Sequence, residues 1–168
     1  MINSHNNARP ADLNPRSPLN GKHILAEFWQ CQCAPELLTE IEPLLTKLTQ
    51  AVADAGLTLV GHAVHQFQPI EDAEIATDKI SVEPVNKTVQ VQSSGVTLTL
   101  LLAESHLCLH TWGEHNSVTL DVYVCNVTQD NSDKAQALFT ACVDIFAPKQ
   151  QHVNQVIRQH QPVAAITQ

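Results

Sequence analysis

Apolar and polar residues alternate over several short stretches of this chain, and this alternation predicts β-strands. The predicted strands cover residues 22–32, 57–67, 96–104, 106–111 and 117–125, and a last strand covers residues 153–157. Residues 69–94 are less regular and predict at most a short hairpin, formed by residues 80–82 and 88–91.

Two stretches have the spacing of helices instead. After Pro35, apolar residues recur every three or four positions, and Gly56 predicts the end of this helix. Pro43 falls within the pattern, so we expect a kink or a restart near Glu42.

A second helix is predicted over residues 132–146, where Pro148 follows it. Helices are few and strands are consecutive, which favours an α+β fold: a two-layer αβ sandwich with a mainly antiparallel sheet and two main helices. Residues 1–20 are polar and contain three prolines, so we expect a disordered leader followed by a single domain over residues 21–168.

Composition and charge narrow the function. The chain has 168 residues, a net charge of −8 and only nine basic residues, so nucleic acid is not an expected partner. We expect no membrane span and no signal peptide, because no apolar run is long enough, and we place the protein in the cytoplasm. The five cysteines are odd in number and irregularly spaced, so they are expected to be thiols.

The most informative segment is the Glu104-Ser105 pair, which ends a hydrophobic run. A serine hydroxyl can attack the preceding carbonyl carbon when the turn is strained and a base is near. The amide then becomes an ester, elimination cuts the chain, and hydrolysis leaves a pyruvoyl group at the new N-terminus. Its ketone can form a Schiff base with a substrate amine and accept electrons as carboxylate leaves. His110 is the candidate proton carrier, and a thiol such as Cys125 can protonate the resulting carbanion.

These residues also have simpler interpretations. Glu-Ser-His is a common tripeptide, and Cys125 could be a buried structural cysteine. His106, Cys108 and His110 share one face of a predicted strand, and a metal site that includes His115 is conceivable. They lack C-x-x-C or H-E-x-x-H spacing, and no metal site is expected.

Several segments together resemble the bacterial and archaeal S-adenosylmethionine decarboxylases, which make a pyruvoyl cofactor from an internal serine. The resemblance extends loosely from residue 21 to about residue 160. It is carried by residues 21–28 (GKHILAEF), 95–97 (GVT), 103–106 (AESH), 109–112 (LHTW) and 121–125 (DVYVC).

The resemblance implies cleavage between Glu104 and Ser105, which gives a β chain of residues 1–104 and an α chain of residues 105–168. Ser105 becomes the pyruvoyl group. His110 is implied to promote this processing with Thr97 as its helper, and Cys125 is implied to be the proton donor in decarboxylation.

The resemblance also implies the substrate and the assembly. The substrate is S-adenosylmethionine, decarboxylated for spermidine synthesis, with Phe67 and Trp112 sandwiching adenine and Glu114 binding ribose. Ordinary packing is the alternative role of the two aromatic residues. Family members have an αββα-type fold and form dimers with active sites at or near the subunit interface. A homodimer of processed αβ units is therefore expected.

Three departures from the family pattern affect the substrate side. Gly113 stands where a proline is usual, and Asn126 stands where a glycine is usual. An insertion at about residues 70–94 replaces a short loop. Two other functions therefore stay open: a pyruvoyl-dependent decarboxylase of ornithine or arginine, and a non-catalytic relative that regulates an active partner.

Overall fold

A computed structural model describes residues 20–67, 94–127 and 129–159. The predicted leader, apart from Asn20, lies outside these residues. The predicted hairpin at residues 80–91 and nearly all of the insertion also lie outside them.

Six strands form one sheet in the described part of the chain. In the order β2-β3-β4-β5-β1-β6, every neighbouring pair is antiparallel, which confirms the predicted sheet. The strands are β1 (Asn20–Cys31), β2 (Leu59–Phe67), β3 (Gly95–Leu102), β4 (Ser105–Trp112), β5 (Ser117–Cys125) and β6 (Pro148–Gln159).

The helices are α1 (Glu36–Thr39), α2 (Ile41–Asp54) and α3 (Ser132–Phe146), and a 3-10 turn covers Gly113–His115. The first predicted helix restarts at Glu40, whose ψ of 138° is extended. Pro43 then falls in the first turn of α2, where its missing N–H costs no helical hydrogen bond. No helix among the described residues is long and apolar enough to cross a membrane.

The core lies between the helices and one face of the sheet. The fully buried side chains include Ile24, Phe28 and Leu109 from the strands and Leu48 and Phe146 from the helices. Burying each such side chain contributes about 1.5–3 kcal/mol. Within residues 20–67, 94–127 and 129–159, all three helices pack on this face and none covers the opposite face of the sheet. We call that face the open face.

The last strand is longer than its sequence predicts. The expected strand covered residues 153–157, but β6 pairs with β1 from Pro148 to Gln159. Half of its twelve residues are glutamine, asparagine or histidine, most of the strand is exposed, and apolar and polar positions do not alternate along it. Backbone pairing to β1, rather than burial of its own side chains, therefore extends this edge strand.

Thr111 connects the helical layer to the strands. It is fully buried, and its hydroxyl donates to the Leu38 carbonyl oxygen at 2.6 Å and accepts from the Val96 N–H at 2.8 Å. A Cβ at Gly95 would collide with the Thr111 carbonyl oxygen, so this close approach requires glycine.

Candidate active site

The open face carries most of the predicted site residues. Along β4, Leu107 and Leu109 are buried on the helical side, so His106, Cys108 and His110 share the open face, as predicted. The predicted residues differ in their positions along the strands.

The Glu104-Ser105 bond lies at a tight turn between β3 and β4. Ser105 pairs with Leu102 of β3, so only Ala103 and Glu104 form the turn. Thr58 holds both of them. Its carbonyl oxygen accepts from the Ala103 N–H at 2.9 Å, and its N–H and hydroxyl donate to the Glu104 carboxylate at 3.1 and 3.3 Å.

The carbonyl group that the serine would attack is already polarised. The Glu104 carbonyl oxygen accepts a hydrogen bond from the Cys125 N–H at 2.8 Å. A fixed N–H at this position would stabilise the negative charge that develops on this oxygen during attack. Ser105 has a φ of 156°, which residues other than glycine rarely adopt and which costs on the order of 1–3 kcal/mol. The bond entering Ser105 is therefore both polarised and strained.

Thr97 and His110 form the second part of the predicted site. They are direct partners between β3 and β4, and Thr97 Oγ1 lies 2.9 Å from His110 Nδ1. His110 is five residues beyond Ser105 on the same strand, a separation of about 16 Å. Within one chain, the structure does not bring His110 to the bond that it is predicted to help break.

The predicted residues therefore fall into two groups on the described chain. We call Glu104, Ser105 and Cys125 the cleavage end. The histidine end consists of Thr97 and His110 together with the three predicted substrate residues Phe67, Trp112 and Glu114.

Two aromatic side chains border a gap at the histidine end. Phe67 pairs with Gly95, and Trp112 lies two residues beyond His110, at the level of Gly95. Since Gly95 has no side chain, β3 places nothing between the strands that carry Phe67 and Trp112. Those strands are about 10 Å apart, which leaves room for a flat ring. Phe67 is 38% exposed, which is unusual for core packing.

Gly113 and Glu114 together bind the backbone of Ser94. The Gly113 N–H donates to the Ser94 carbonyl oxygen at 2.7 Å, a bond that the usual proline could not make. The Glu114 carboxylate accepts from the Ser94 N–H at 3.1 Å. The departure at Gly113 therefore tightens this turn through a new hydrogen bond.

Asn126 also has a structural explanation. It is buried, its amide oxygen accepts from the Asn131 N–H at 2.8 Å, and its amide nitrogen donates to the Ser132 hydroxyl at 3.0 Å. Its φ is not positive, so this position does not require glycine. Asn126 therefore connects the end of β5 to the start of α3.

A polar cluster lies on the open face between the two ends. Ligand atoms of His23, His106 and Asp121 lie within 4.8 Å of one another. Arg158 can only donate, and its guanidinium lies 3.2 Å from His23 Nδ1, so His23 Nε2–H donates to Asp121 at 3.3 Å. A metal ion would need a lone pair on His23 Nε2, but this nitrogen carries the proton that is donated to Asp121. The contacts therefore form a hydrogen-bonded chain from Arg158 through His23 to Asp121. His115 lies beyond the far end of β4, away from His106 and Cys108.

All five cysteines are free. Burial raises the pKa of Cys31 to about 11 and that of Cys142 to about 12. Burial is also the main cause of the raised pKa values of Cys33 and Cys108. These four are therefore thiols at neutral pH and poor nucleophiles. Cys125 is half-buried, and its backbone touches the scissile carbonyl group.

Two groups at the cleavage end were not found from the sequence. Thr58 is 46 residues from Glu104, and no motif marks it. The Cys125 N–H was also missed, because a backbone donor is not visible until the β4–β5 register is known. The sequence draws attention only to the side chain of Cys125.

Comparison with known proteins gives a consistent family. The sequence profile described as S-adenosylmethionine decarboxylase matches residues 71–159, more than half of the chain. The chain is 30% identical over 129 residues to a protein from Archaeoglobus fulgidus, covering 77% of this chain and 88% of that one. It is 28% identical over 138 residues to a protein from Thermosipho africanus, covering 82% and 83%. Both relatives are named S-adenosylmethionine decarboxylase proenzyme.

A solved structure supports the fold. The crystal structure of the adenosylmethionine decarboxylase from Aquifex aeolicus VF5 matches with a TM-score of 0.59 and 24% sequence identity. The match covers 90% of this chain and 99% of that one. The six-stranded antiparallel sheet with helices on one face is therefore an architecture already seen in a solved protein.

Proposed function

Because the chain belongs to the S-adenosylmethionine decarboxylase family, we propose that it cleaves itself and then decarboxylates S-adenosylmethionine, using a pyruvoyl group derived from Ser105. The products are CO2 and decarboxylated S-adenosylmethionine, the aminopropyl donor for spermidine. The observation that carries this proposal is the 2.8 Å contact between the Cys125 N–H and the Glu104 carbonyl oxygen.

The cleavage uses atoms of the chain and one water molecule. Ser105 Oγ bonds to the Glu104 carbonyl carbon, and the C–N bond breaks to give an ester. Loss of the Ser105 Cα proton then expels the Glu104 carboxylate and leaves dehydroalanine. Water adds and ammonia leaves, which produces the pyruvoyl group. The Cys125 N–H stabilises the oxyanion of the first step, and the strained φ of Ser105 raises the energy of the intact chain.

The residues at the cleavage end fit a pyruvoyl group. Its ketone supplies the electron sink for decarboxylation. Cys125 follows Val124, the β5 partner of Ser105, so its thiol is a candidate proton donor near the new N-terminus.

We propose that the active unit is a homodimer, because one chain holds two incomplete halves of a site. If two open faces pack together about a two-fold axis, the cleavage end of one subunit can face the histidine end of the other. His110 of the partner subunit would then carry the proton for cleavage at Ser105. Helices would cover both outer faces, giving four layers in the order αββα.

The substrate assignment rests on the histidine end. The gap between Phe67 and Trp112 suits a planar adenine, and the ring faces favour the sulfonium cation next to it. Glu114 already accepts from Ser94, so we propose that it orients the ribose as part of this anchored turn.

Five reduced thiols support a reaction in the cytoplasm.

Mass spectrometry of the purified protein tests the self-cleavage. We expect fragments of residues 1–104 and 105–168, the second lighter by one ammonia than a simple hydrolysis product. Ser105→Ala should stay intact, and the matched control Ser117→Ala should be cut like the wild type. A folded wild-type chain that remains whole would contradict the proposal and favour a non-catalytic relative.

Release of CO2 tests the substrate. The processed protein should release CO2 from S-adenosylmethionine and not from ornithine or arginine, each supplied alone. Release of CO2 from ornithine or arginine instead would agree with the proposed self-cleavage but would contradict the proposed adenine-binding site.

A further inference from the structure

We propose that Thr58 is a positioning residue for self-cleavage, acting on the scissile bond through Glu104; this inference rests on the proposed function. Thr58 makes three hydrogen bonds to the two turn residues, at 2.9, 3.1 and 3.3 Å. It uses its carbonyl oxygen, its N–H and its hydroxyl.

The end of α2 makes Thr58 a rigid support. Gly56 has a φ of 71°, and its N–H donates to the Ala53 carbonyl oxygen at 2.9 Å. The Leu57 N–H donates to the Val52 carbonyl oxygen at 3.0 Å. These two bonds form a Schellman motif, and the Leu57 side chain is buried in the core. Thr58 follows immediately, so its position is set by a packed helix end.

The hydrogen bonds act on the reaction in two ways. First, they fix the turn to Thr58, the residue that precedes β2. The Glu104 carbonyl oxygen then keeps its hydrogen bond to the Cys125 N–H, next to the strained Ser105 backbone. Second, they hold the negatively charged Glu104 carboxylate at Thr58. A free carboxylate could swing toward its own carbonyl oxygen, where negative charge develops during attack, and would oppose that charge.

Substitution separates the contribution of the Thr58 hydroxyl from that of its two backbone groups. Thr58→Val keeps the shape and both backbone bonds but removes the hydroxyl donor. Thr58→Ser keeps the donor. Thr46→Val replaces an exposed threonine on α2 and serves as the matched control.

The experiment measures the rate at which newly translated full-length chain becomes two fragments on denaturing gels. Thr58→Val should be cut about 3–10-fold more slowly than the wild type, the loss expected for one ordinary hydrogen bond at an exposed site. Thr58→Ser should restore most of the rate, and Thr46→Val should match the wild type.

Two further measurements separate positioning from general stability. In the uncleavable Ser105→Ala background, Thr58→Val should leave the melting temperature nearly unchanged. Thr58→Val chains that have been cut should decarboxylate with the wild-type kcat, because the support is needed only before cleavage.

The outcomes distinguish this inference from the proposed function. A wild-type chain that is never cut would overturn the proposed function. Cleavage of Thr58→Val at the wild-type rate, or equal slowing by Thr58→Ser, would overturn the role of Thr58 while leaving self-cleavage intact.

Discussion

The cleavage end and the histidine end lie at opposite ends of β4 and are built from different kinds of contact. At the cleavage end, backbone groups from segments far apart in sequence converge on one peptide bond: Cys125 on the carbonyl oxygen and Thr58 on the turn. At the histidine end, two side chains on neighbouring strands meet, Thr97 and His110. The backbone contact from Cys125 is fixed by the strand register, whereas the side chains of Thr97 and His110 can turn.

This difference matches two different tasks. The cleavage end holds one bond in a strained and polarised state, which requires rigidity. Under the proposed function the histidine end delivers and accepts protons, which requires a titratable group that can reorient. About 16 Å separates Ser105 from His110 along β4, so under the proposed function the two ends cooperate through the partner subunit.

Complementation between two inactive variants is the strongest test of this division. Ser105→Ala lacks the hydroxyl that attacks the Glu104 carbonyl carbon, and His110→Ala lacks the proposed proton carrier. Neither variant should be cut when it is expressed alone. Co-expressed with different tags, they form mixed dimers that contain one complete site. We expect about half of the His110→Ala chains to be cut, as judged by the tag on the fragments.

Two outcomes would contradict this division. Mixed dimers without cleavage would mean that His110 does not act across the interface. Rapid cleavage of His110→Ala by itself would mean that another group carries the proton.

Cys125→Ala separates the two functions within the cleavage end. Alanine keeps the N–H that contacts the Glu104 carbonyl oxygen, so cleavage should proceed at nearly the wild-type rate. Without a thiol to donate a proton, decarboxylation should fall by at least about 100-fold. Fragment formation on gels and CO2 release from S-adenosylmethionine measure the two effects. Undiminished turnover would exclude this thiol as the proton donor, and the buried Cys142→Ala provides a control for the loss of a cysteine.

Thr97→Ala should have a smaller effect, confined to the histidine end. It removes the 2.9 Å contact to His110 Nδ1, so the imidazole loses one partner that orients it. We expect cleavage to slow about 3–10-fold. Thr97→Ser should retain the hydroxyl and most of the rate, as followed by the same gel assay. Equal rates for all three chains would show that His110 needs no orientation by this hydroxyl.

Local structure followed from the sequence to a large extent. Alternation of apolar and polar residues marked β5 and the periodic pattern marked α3, both with the bounds that the structure has. Proline and glycine marked the break before α2 and its end. Strand β6 was underestimated because its exposed polar residues owe their pairing to β1.

The candidate site was predictable only in part. Chemistry-bearing residues such as Ser105 and Cys125 stand out by type and spacing, and the resemblance to a family added roles for Thr97 and Phe67. The separation of Ser105 from His110 follows from placing both on one extended strand.

By itself, the sequence determined the residue types, the order of strands and helices, and the candidate cleavage site at Glu104-Ser105, because these depend on local spacing and side-chain chemistry. The tertiary structure decided which groups touch the bond before Ser105: the Cys125 N–H and the three polar atoms of Thr58. It also decided that the three helices of the described residues pack on the same face of the sheet. Such contacts arise from register between distant strands and from the packing of α2, and backbone donors are the same in every residue except proline. No local pattern can therefore reveal them.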